Sequence, residues 1–227
     1  MKYLIMVICF TLLAACESTD QQPVNESSTN FIDPTRDLLA SVVNVTNPDN
    51  NTTFVGTVVQ DDNMRSYLMV NKHAIGNSVP QILTLKGGFE NITVKVNYVI
   101  ISSESADIAL LNIDNEALGY LAKYQLLHKQ LSPLKMVLGS QVLCASTVDL
   151  VDHNIKRFFK TGFISNMDST TIEIDYAFTP GQSGSPCMNT DGQLIGIAKG
   201  YLESKVGGQK IGIIEPIPRK MVSMILL

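Results

Sequence analysis

Short apolar runs separated by turn residues dominate the chain from residue 54 onward. Their lengths and their content of β-branched and aromatic residues are typical of strands. Their spacing suits a barrel or a sandwich, so the pattern predicts a mostly β protein. The predicted strands are Phe54–Val59, Tyr67–Val70, Ile92–Ile101, Ile108–Ile113, Gln141–Ser146, Phe158–Ile164, Thr170–Tyr176, Gln193–Ile197 and Lys210–Ile214.

Two segments depart from the strand pattern. Residues 114–130 lack alternation and favour helix, which predicts a partly helical connector. Near the C-terminus, Pro218 is suited to a helix start, and the apolar residues that follow it recur on one face. We therefore expect a short closing helix there.

The N-terminus has the form of an export signal. Lys2 precedes an apolar run, Tyr3–Leu13, that is too short to cross a bilayer as a helix. Small residues and Cys16 follow, in a pattern that resembles the lipobox of bacterial lipoproteins. The resemblance implies a signal peptide over residues 1–15 and a lipid on Cys16. The alternative is an ordinary signal peptide with an incidental cysteine.

Residues 16–36 are polar and contain almost no apolar side chains, which predicts a flexible tether to the membrane. The expected location is the bacterial cell envelope, facing the periplasm or the exterior. In the lipoproteins of enteric-type bacteria, an aspartate after the lipidated cysteine favours retention in the inner membrane. Glu17 occupies that position here, so the outer membrane is favoured. The net charge of −4 comes without any basic run, so we expect no nucleic-acid partner.

Candidate chemistry centres on Ser183, which lies in a glycine-rich stretch from Gly181 to Pro186. A serine hydroxyl is inert unless an imidazole takes its proton, a carboxylate orients that imidazole and donors bind the oxyanion. His73 follows one apolar run and Asp107 precedes another, which makes them candidate partners. The competing interpretations are a structural turn serine, a core histidine and a strand-capping aspartate.

Other residues could in principle take these roles. Asp114 is the nearest alternative acid, and His128 and His153 are expected to be surface residues because they lack matching flanks. The order of histidine, acid and serine argues against an α/β-hydrolase, in which the histidine follows the serine. Pro186 would also disturb a helix that began at Ser183.

This order and its flanks resemble the chymotrypsin-fold serine peptidases, most closely the HtrA/Deg branch. The resemblance covers residues 37–225 and implies two six-stranded β-barrels with a short C-terminal helix. We expect the first barrel over 37–113, the connector over 114–133, and the second barrel and closing helix over 134–227, without the PDZ domain of HtrA relatives. The matching segments are Asp37–Val45, Gly56–Val59, Lys160–Ser165, Ile172–Asp175, Asp191–Ile197 and Ile217–Val222.

The resemblance also implies roles for individual residues. His73, Asp107 and Ser183 would form the catalytic triad, and the N–H groups of Gly181 and Ser183 would form the oxyanion hole. A specificity pocket lined by apolar groups would favour small to medium aliphatic residues. Its expected residues are Ala177, Phe178, Gly200 and Leu202.

Two further features follow from the resemblance. Gln182 replaces the aspartate that, in digestive relatives, pairs with a newly cleaved N-terminus, so that route of activation is excluded. In this fold the strand after the nucleophile packs beside the strand that carries Cys144, and chymotrypsin-like relatives link similar, though not identical, positions. Cys144 and Cys187 are therefore expected to be either a disulfide or two buried thiols.

The leading hypothesis is a membrane-tethered serine endopeptidase that cleaves unfolded or extended polypeptides through an acyl-enzyme. The implied mechanism needs no metal and no cofactor. The alternative is a catalytically inactive protease-fold lipoprotein that binds a peptide or a protein. An esterase is a third hypothesis, which the order of the residues disfavours.

Overall fold

The computed structural model describes residues 34–60, 65–76, 82–86, 91–101, 106–113, 126–127, 136–149, 155–203 and 208–225. Within these ranges, strands form two closed antiparallel barrels. None of the helices in the same ranges is both long and apolar enough to span a bilayer. The predicted signal peptide and most of the predicted tether lie outside the described residues.

The first barrel closes in the order β1, β4, β5, β6, β3, β2 and back to β1. The interior is filled by one face of each strand, because successive side chains point to opposite faces. The strands are β1 (Val42–Asn47), β2 (Thr52–Gln60), β3 (Ser66–Asn71), β4 (Ile82–Lys86), β5 (Asn91–Ile101) and β6 (Ile108–Ile113). A two-residue strand, β7 (Leu126–Leu127), adds to β2 in parallel.

The second barrel closes in the order β10, β13, β12, β11, β8, β9 and back to β10. Its strands are β8 (Gln141–Asp149), β9 (Ile155–Met167), β10 (Ile172–Ile174), β11 (Pro186–Asn189), β12 (Leu194–Glu203) and β13 (Lys210–Pro216). Three described helices accompany the barrels: α1 (Pro34–Ala40), α2 (Lys72–Ile75) and α3 (Arg219–Ile225). The predicted mostly β fold with two six-stranded barrels and a short C-terminal helix is confirmed.

Strands β3 and β6 are buried on both faces, which explains why their sequences read as continuous apolar runs. One face fills the first barrel, and the other joins a cluster that also contains residues of the second barrel and of α1 and α3. Leu68, Val70, Ala109 and Leu111 point inward, while Tyr67, Met69, Ile108 and Leu110 belong to the shared cluster. These strands therefore lie where the two barrels meet.

Several predicted boundaries differ from the structure. The strand predicted over Thr170–Tyr176 is limited to β10, because the Asp168 carboxylate accepts the N–H groups of Thr170 and Thr171 in a turn. Helix α1 includes the last three residues of the predicted tether. The predicted partly helical connector falls mostly outside the described residues, and its described part, β7, is extended instead. Strands β4 and β11 were not predicted.

Candidate active site

His73 lies in the single helical turn α2, which directly follows β3. Ala74 and Ile75 of this turn are buried in the core of the first barrel, so the turn is anchored there. Gly76 ends the turn with a φ of 78°, a conformation that glycine adopts without strain. The side chain of His73 is 50% exposed, which leaves the imidazole accessible to solvent.

Strand pairing brings Asp107 beside α2. Asn71, the last residue of β3, lies opposite Ile108, the first residue of β6. The carbonyl oxygen of Asp107 then accepts the N–H of Lys72 and the side-chain amide of Asn71, each at 3.2 Å. The acid is thus fixed by its backbone to the strand that precedes the histidine.

Both carboxylate oxygens of Asp107 contact His73. Oδ1 accepts the backbone N–H of His73 at 3.0 Å, and Oδ2 lies 2.6 Å from the imidazole Nδ1. An ionised carboxylate can only accept, so this contact requires the Nδ1–H tautomer and leaves Nε2 with a free lone pair. The arrangement is that of a base held in one tautomer and one orientation.

The electrostatics favour the ionised form of Asp107. Burial alone would raise the pKa of this carboxyl, but hydrogen bonds from the side chain and backbone of His73, together with electrostatic contributions from His73 and the Lys199 ammonium, lower it below its ordinary value. Asp107 is therefore ionised throughout the neutral pH range. Its contribution to stability is lost only when the pH falls through this lowered value.

Ser183 follows a tight turn that runs from Thr179 to Gln182. The N–H of Gln182 donates to the carbonyl oxygen of Thr179 at 3.1 Å, with Pro180 and Gly181 at the central positions. Gly181 has a φ of 86°, and this combination is typical of a type II turn. The Gln182 side chain is buried and accepts the N–H of Thr179 at 2.8 Å.

The same glutamine is held by a cation. Lys160 on β9 places Nζ 3.3 Å from Oε1 of Gln182, so one amide oxygen accepts from both Lys160 and Thr179. Burial lowers the pKa of Lys160 relative to an ordinary lysine. A lysine of the second barrel therefore braces the turn that carries Gly181.

After the serine, the loop is fastened to both barrels. The carbonyl oxygen of Ser183 accepts the N–H of Val55 at 2.9 Å, and that of Gly184 accepts the hydroxyl of Thr57 at 3.0 Å. On the other side, the N–H of Gly184 donates to Ala198 on β12 at 2.8 Å. Ser183 is thereby placed where the two barrels meet.

The hydroxyl of Ser183 donates to the carbonyl oxygen of Lys199 at 3.1 Å. Of the hydrogen bonds among the described residues, none joins this hydroxyl to His73. Within the same part of the chain, no backbone carbonyl accepts the N–H of Gly181 or of Ser183. The structure thus brings His73 and Asp107 into direct contact. It positions the serine loop, residues 179–184, without a hydrogen bond between Ser183 and His73.

Glu215 on β13 is a site residue that the sequence analysis missed. Its Oε1 accepts the N–H of Asp107 at 3.0 Å, and its Oε2 lies 3.0 Å from Nζ of Lys199. Only 4% of its side chain is exposed. A single acid within the apolar segment Ile211–Ile217 was the signal that could have identified it, since a buried carboxylate needs partners.

The predicted specificity residues lie in two places. Phe178 is 2% exposed and packs edge-on against Tyr176 in the core of the second barrel, so it presents little surface to a substrate. Ala177 precedes it, and Gly200 and the exposed Leu202 lie on β12. The assignment of a specificity pocket to these residues stays a prediction.

Cys144 on β8 and Cys187 on β11 occupy directly paired positions of the second barrel. Their Cα atoms are 4.0 Å apart, and their sulfurs are joined in a disulfide that closes 43 residues of chain. The predicted lipidation site Cys16, the alternative acid Asp114, and His128 and His153 lie outside the described residues.

A cavity of about 420 Å³ opens beside Gly181. Its walls come from both barrels, with Asn44 and Thr53 on one side and Lys160 and Phe158 on the other. Because this cavity adjoins the candidate oxyanion donor, part of a bound chain could occupy it without displacing the core.

Residues 51–197 match the family model of the trypsin-like peptidase domain. The chain belongs to this family. The match begins before β2 and ends within β12, so it includes His73, Asp107 and Ser183. The resemblance to chymotrypsin-fold peptidases is confirmed for family and fold.

Curated relatives come from the HtrA group. The chain is 25% identical over 206 residues to "Serine protease Do-like HtrA" of Bacillus subtilis, covering 76% of this chain and 43% of that protein. It is 26% identical over 171 residues to "Probable periplasmic serine endoprotease DegP-like" of Chlamydia muridarum, covering 75% and 32%. The chain thus spans less than half the length of these relatives.

Solved structures share the fold at low sequence identity. A Glu endopeptidase matches with a TM-score of 0.61 and 14% identity, covering 82% of this chain and 89% of that one. The MamO protease domain of Magnetospirillum magneticum matches with a TM-score of 0.59 and 17% identity, covering 85% and 99%. At such identities, these matches show the fold alone.

Proposed function

We propose that this chain is a serine endopeptidase in which Ser183 is the nucleophile, His73 the general base and Asp107 the residue that orients the base. The observation that carries the proposal is the two-point contact between the Asp107 carboxylate and His73, at 3.0 and 2.6 Å. Membership of the trypsin-like peptidase family supports it.

In the first step, Nε2 of His73 takes the proton of the Ser183 hydroxyl as the oxygen attacks a peptide carbonyl. Ser183 must first turn its hydroxyl from Lys199 toward His73. Catalytic hydrogen bonds are often long or absent before substrate binds. The imidazolium that forms is stabilised by Asp107.

The tetrahedral intermediate carries a negative oxygen, which the N–H groups of Gly181 and Ser183 would bind. His73 then returns its proton to the leaving amine, and the C–N bond breaks to leave an ester on Ser183. Water, deprotonated by the same imidazole, hydrolyses that ester. One oxyanion donor is typically worth about 2.7 to 4 kcal/mol to the transition state.

The proposed substrates are polypeptides, which the name "Serine protease" of the relatives supports. We propose that they are cleaved in an unfolded or extended form. Cleavage is expected after small to medium aliphatic residues. The contact of Lys199 with Glu215 supports this expectation, since that ammonium already has a carboxylate partner and is less available to an acidic substrate residue. Profiling with a peptide library tests it, and a dominant preference for Lys, Arg, Asp or Glu would contradict it.

We place the proposed enzyme in the cell envelope, held by lipid on Cys16. The support is the signal-like N-terminus and the word "periplasmic" in the names of several relatives. Metabolic labelling with an alkyne fatty acid should mark the wild-type protein, and Cys16→Ser should remove the label and release the protein from membranes. A soluble, unacylated wild-type form would refute this placement.

A fluorophosphonate probe tests the central proposal, because it reacts only with an activated serine. Labelling and casein hydrolysis should both occur in the wild type and fall by roughly 10⁴ to 10⁶ in Ser183→Ala. Ser165→Ala on the exposed part of β9 is the matched control and should retain full activity. The value of kcat/KM should fall toward acid pH, since only a neutral imidazole can accept the proton.

The inactive binding module makes the opposite forecast. It requires that a folded wild-type protein show neither labelling nor hydrolysis at neutral or alkaline pH. The contact pair of His73 and Asp107 gives that alternative no support, because an inactive module has no need of an oriented base.

A further inference from the structure

Glu215 is a buried acid that reaches the candidate active site from β13. Its two carboxylate oxygens have different partners: Oε1 accepts the backbone N–H of Asp107, and Oε2 accepts from the ammonium of Lys199, both at 3.0 Å. A buried carboxylate is unfavourable unless it is paired and hydrogen-bonded. Both requirements are met here, so the position of Glu215 depends on both partners.

Lys199 connects Glu215 to Ser183, the proposed nucleophile. Its backbone carbonyl oxygen accepts the hydroxyl of Ser183, and its ammonium contributes to the ionisation of Asp107. Asp107 contacts His73 on α2 and Glu215 on β13, and the charge of Lys199 on β12 also acts on its carboxylate. Glu215 therefore contacts Asp107 directly through a hydrogen bond. Through its ion pair with Lys199, it also changes the electrostatic potential at Asp107.

We propose that Glu215 is a positioning residue with two separable actions, an inference that rests on the endopeptidase function above. Its Oε1 fixes the backbone of Asp107 across the junction of the barrels. Its negative charge neutralises Lys199, so that the ammonium does not oppose the imidazolium that forms on His73 in the transition state.

The first action is tested by comparing two substitutions at the same position. Glu215→Ala removes the acceptor for the Asp107 N–H and should lower kcat about 10-fold, with KM within about twofold, as expected for a lost charged hydrogen bond. Glu215→Gln keeps an oxygen acceptor and should recover the part of that loss due to the hydrogen bond, leaving about a threefold loss from the unopposed charge of Lys199. Equal loss in both variants would show that Glu215 does not act through this hydrogen bond.

The second action is tested by the pH dependence of kcat/KM. Glu215→Gln leaves the charge of Lys199 unopposed, so the acid limb should move to lower pH by about half a unit. Lys199→Met leaves the charge of Glu215 unopposed and should move the limb to higher pH by a similar amount. The double variant should return the limb to its wild-type position, while Glu203→Gln, an exposed carboxylate on β12, should leave it unchanged.

A readout without catalysis separates this inference from the proposed function. The imidazole of His73 can be titrated by NMR after ¹³C-histidine labelling, with its signal assigned by its absence in His73→Ala. Shifts of opposite sign in Glu215→Gln and Lys199→Met uphold the charge coupling, even if the wild type resists the fluorophosphonate probe and the endopeptidase function is rejected. Labelling of the wild type together with unmoved titrations in both variants overturns the inference and leaves the proposed function standing.

Discussion

Gly184 is the residue at which a single methyl group should do the most damage to the serine loop. It has a φ of 93°, and a Cβ at this position would overlap the carbonyl oxygen of Val55 and lie 2.8 Å from its carbonyl carbon. The obstacle is backbone of the first barrel, which cannot rotate away as a side chain can. Gly184→Ala must therefore separate the loop from β2.

The cost has two parts. An L-residue at positive φ loses about 1 to 2 kcal/mol. Separation also weakens the bonds of Ser183 and Gly184 to Val55 and Thr57, at 2.9 and 3.0 Å, and each buried group left without a partner costs about 1 to 3 kcal/mol. Together these contributions predict a loss of about 3 to 8 kcal/mol in the free energy of unfolding.

Gly139→Ala is the matched control. Gly139 has a φ of 80°, is exposed, and has nothing within 4 Å of the position that a Cβ would take, so this variant suffers the backbone strain without the overlap. Gly184→Ala should therefore be less stable than Gly139→Ala by about 2 to 6 kcal/mol, or by roughly 5 to 20 °C in Tm. Urea unfolding followed by far-UV circular dichroism measures this difference, since the chain has no tryptophan. Both variants should carry Ser183→Ala to prevent self-cleavage. Equal stabilities within about 0.5 kcal/mol would refute the packing argument.

Two further predictions concern the second barrel. Lys160→Met removes the ammonium that contacts Gln182 and should lower kcat/KM about 10-fold. Lys156 is an exposed lysine on the same strand, so Lys156→Met should have no effect. Equal activities of the two variants would contradict the role of Lys160. Mass mapping without reductant should find a peptide that joins Cys144 to Cys187, whereas complete alkylation without reductant would show free thiols. Replacing both cysteines by alanine should lower the free energy of unfolding by up to about 4 kcal/mol, because the disulfide closes a loop of 43 residues.

Much of the barrel architecture could be predicted from the sequence, because the burial of a strand determines its pattern of apolar residues. A strand buried on one face has an apolar residue at every second position, and a strand buried on both faces is a continuous apolar run. Strands β3 and β6 are of the second kind, and their apolar runs indicated the neighbourhood of His73 and Asp107. The short strand β11 was missed because it follows the serine loop directly and begins with Pro186. Its pairing with β8 and β12 comes from the tertiary fold rather than from local propensity.

The candidate site was predictable only where the resemblance provided a pattern. It indicated Ser183, which lies in the serine loop. It also indicated His73 and Asp107, which contact each other where β3 ends and β6 begins. Glu215 could not be placed in this way, since 108 residues separate it from the backbone N–H that it accepts. A contact of that range depends on how two closed barrels dock, and no local sequence pattern encodes it.

The docking of the barrels therefore controls the geometry of the site more than any single strand does. The serine loop is bound to β2 by Val55 and to β12 by Ala198, and Asp107 is bound to β13 by Glu215. A small rotation of one barrel against the other would strain these bonds together and would displace Ser183 relative to His73. Substitutions in the shared apolar cluster, far from His73, should consequently affect kcat as well as stability, because the same interface carries both.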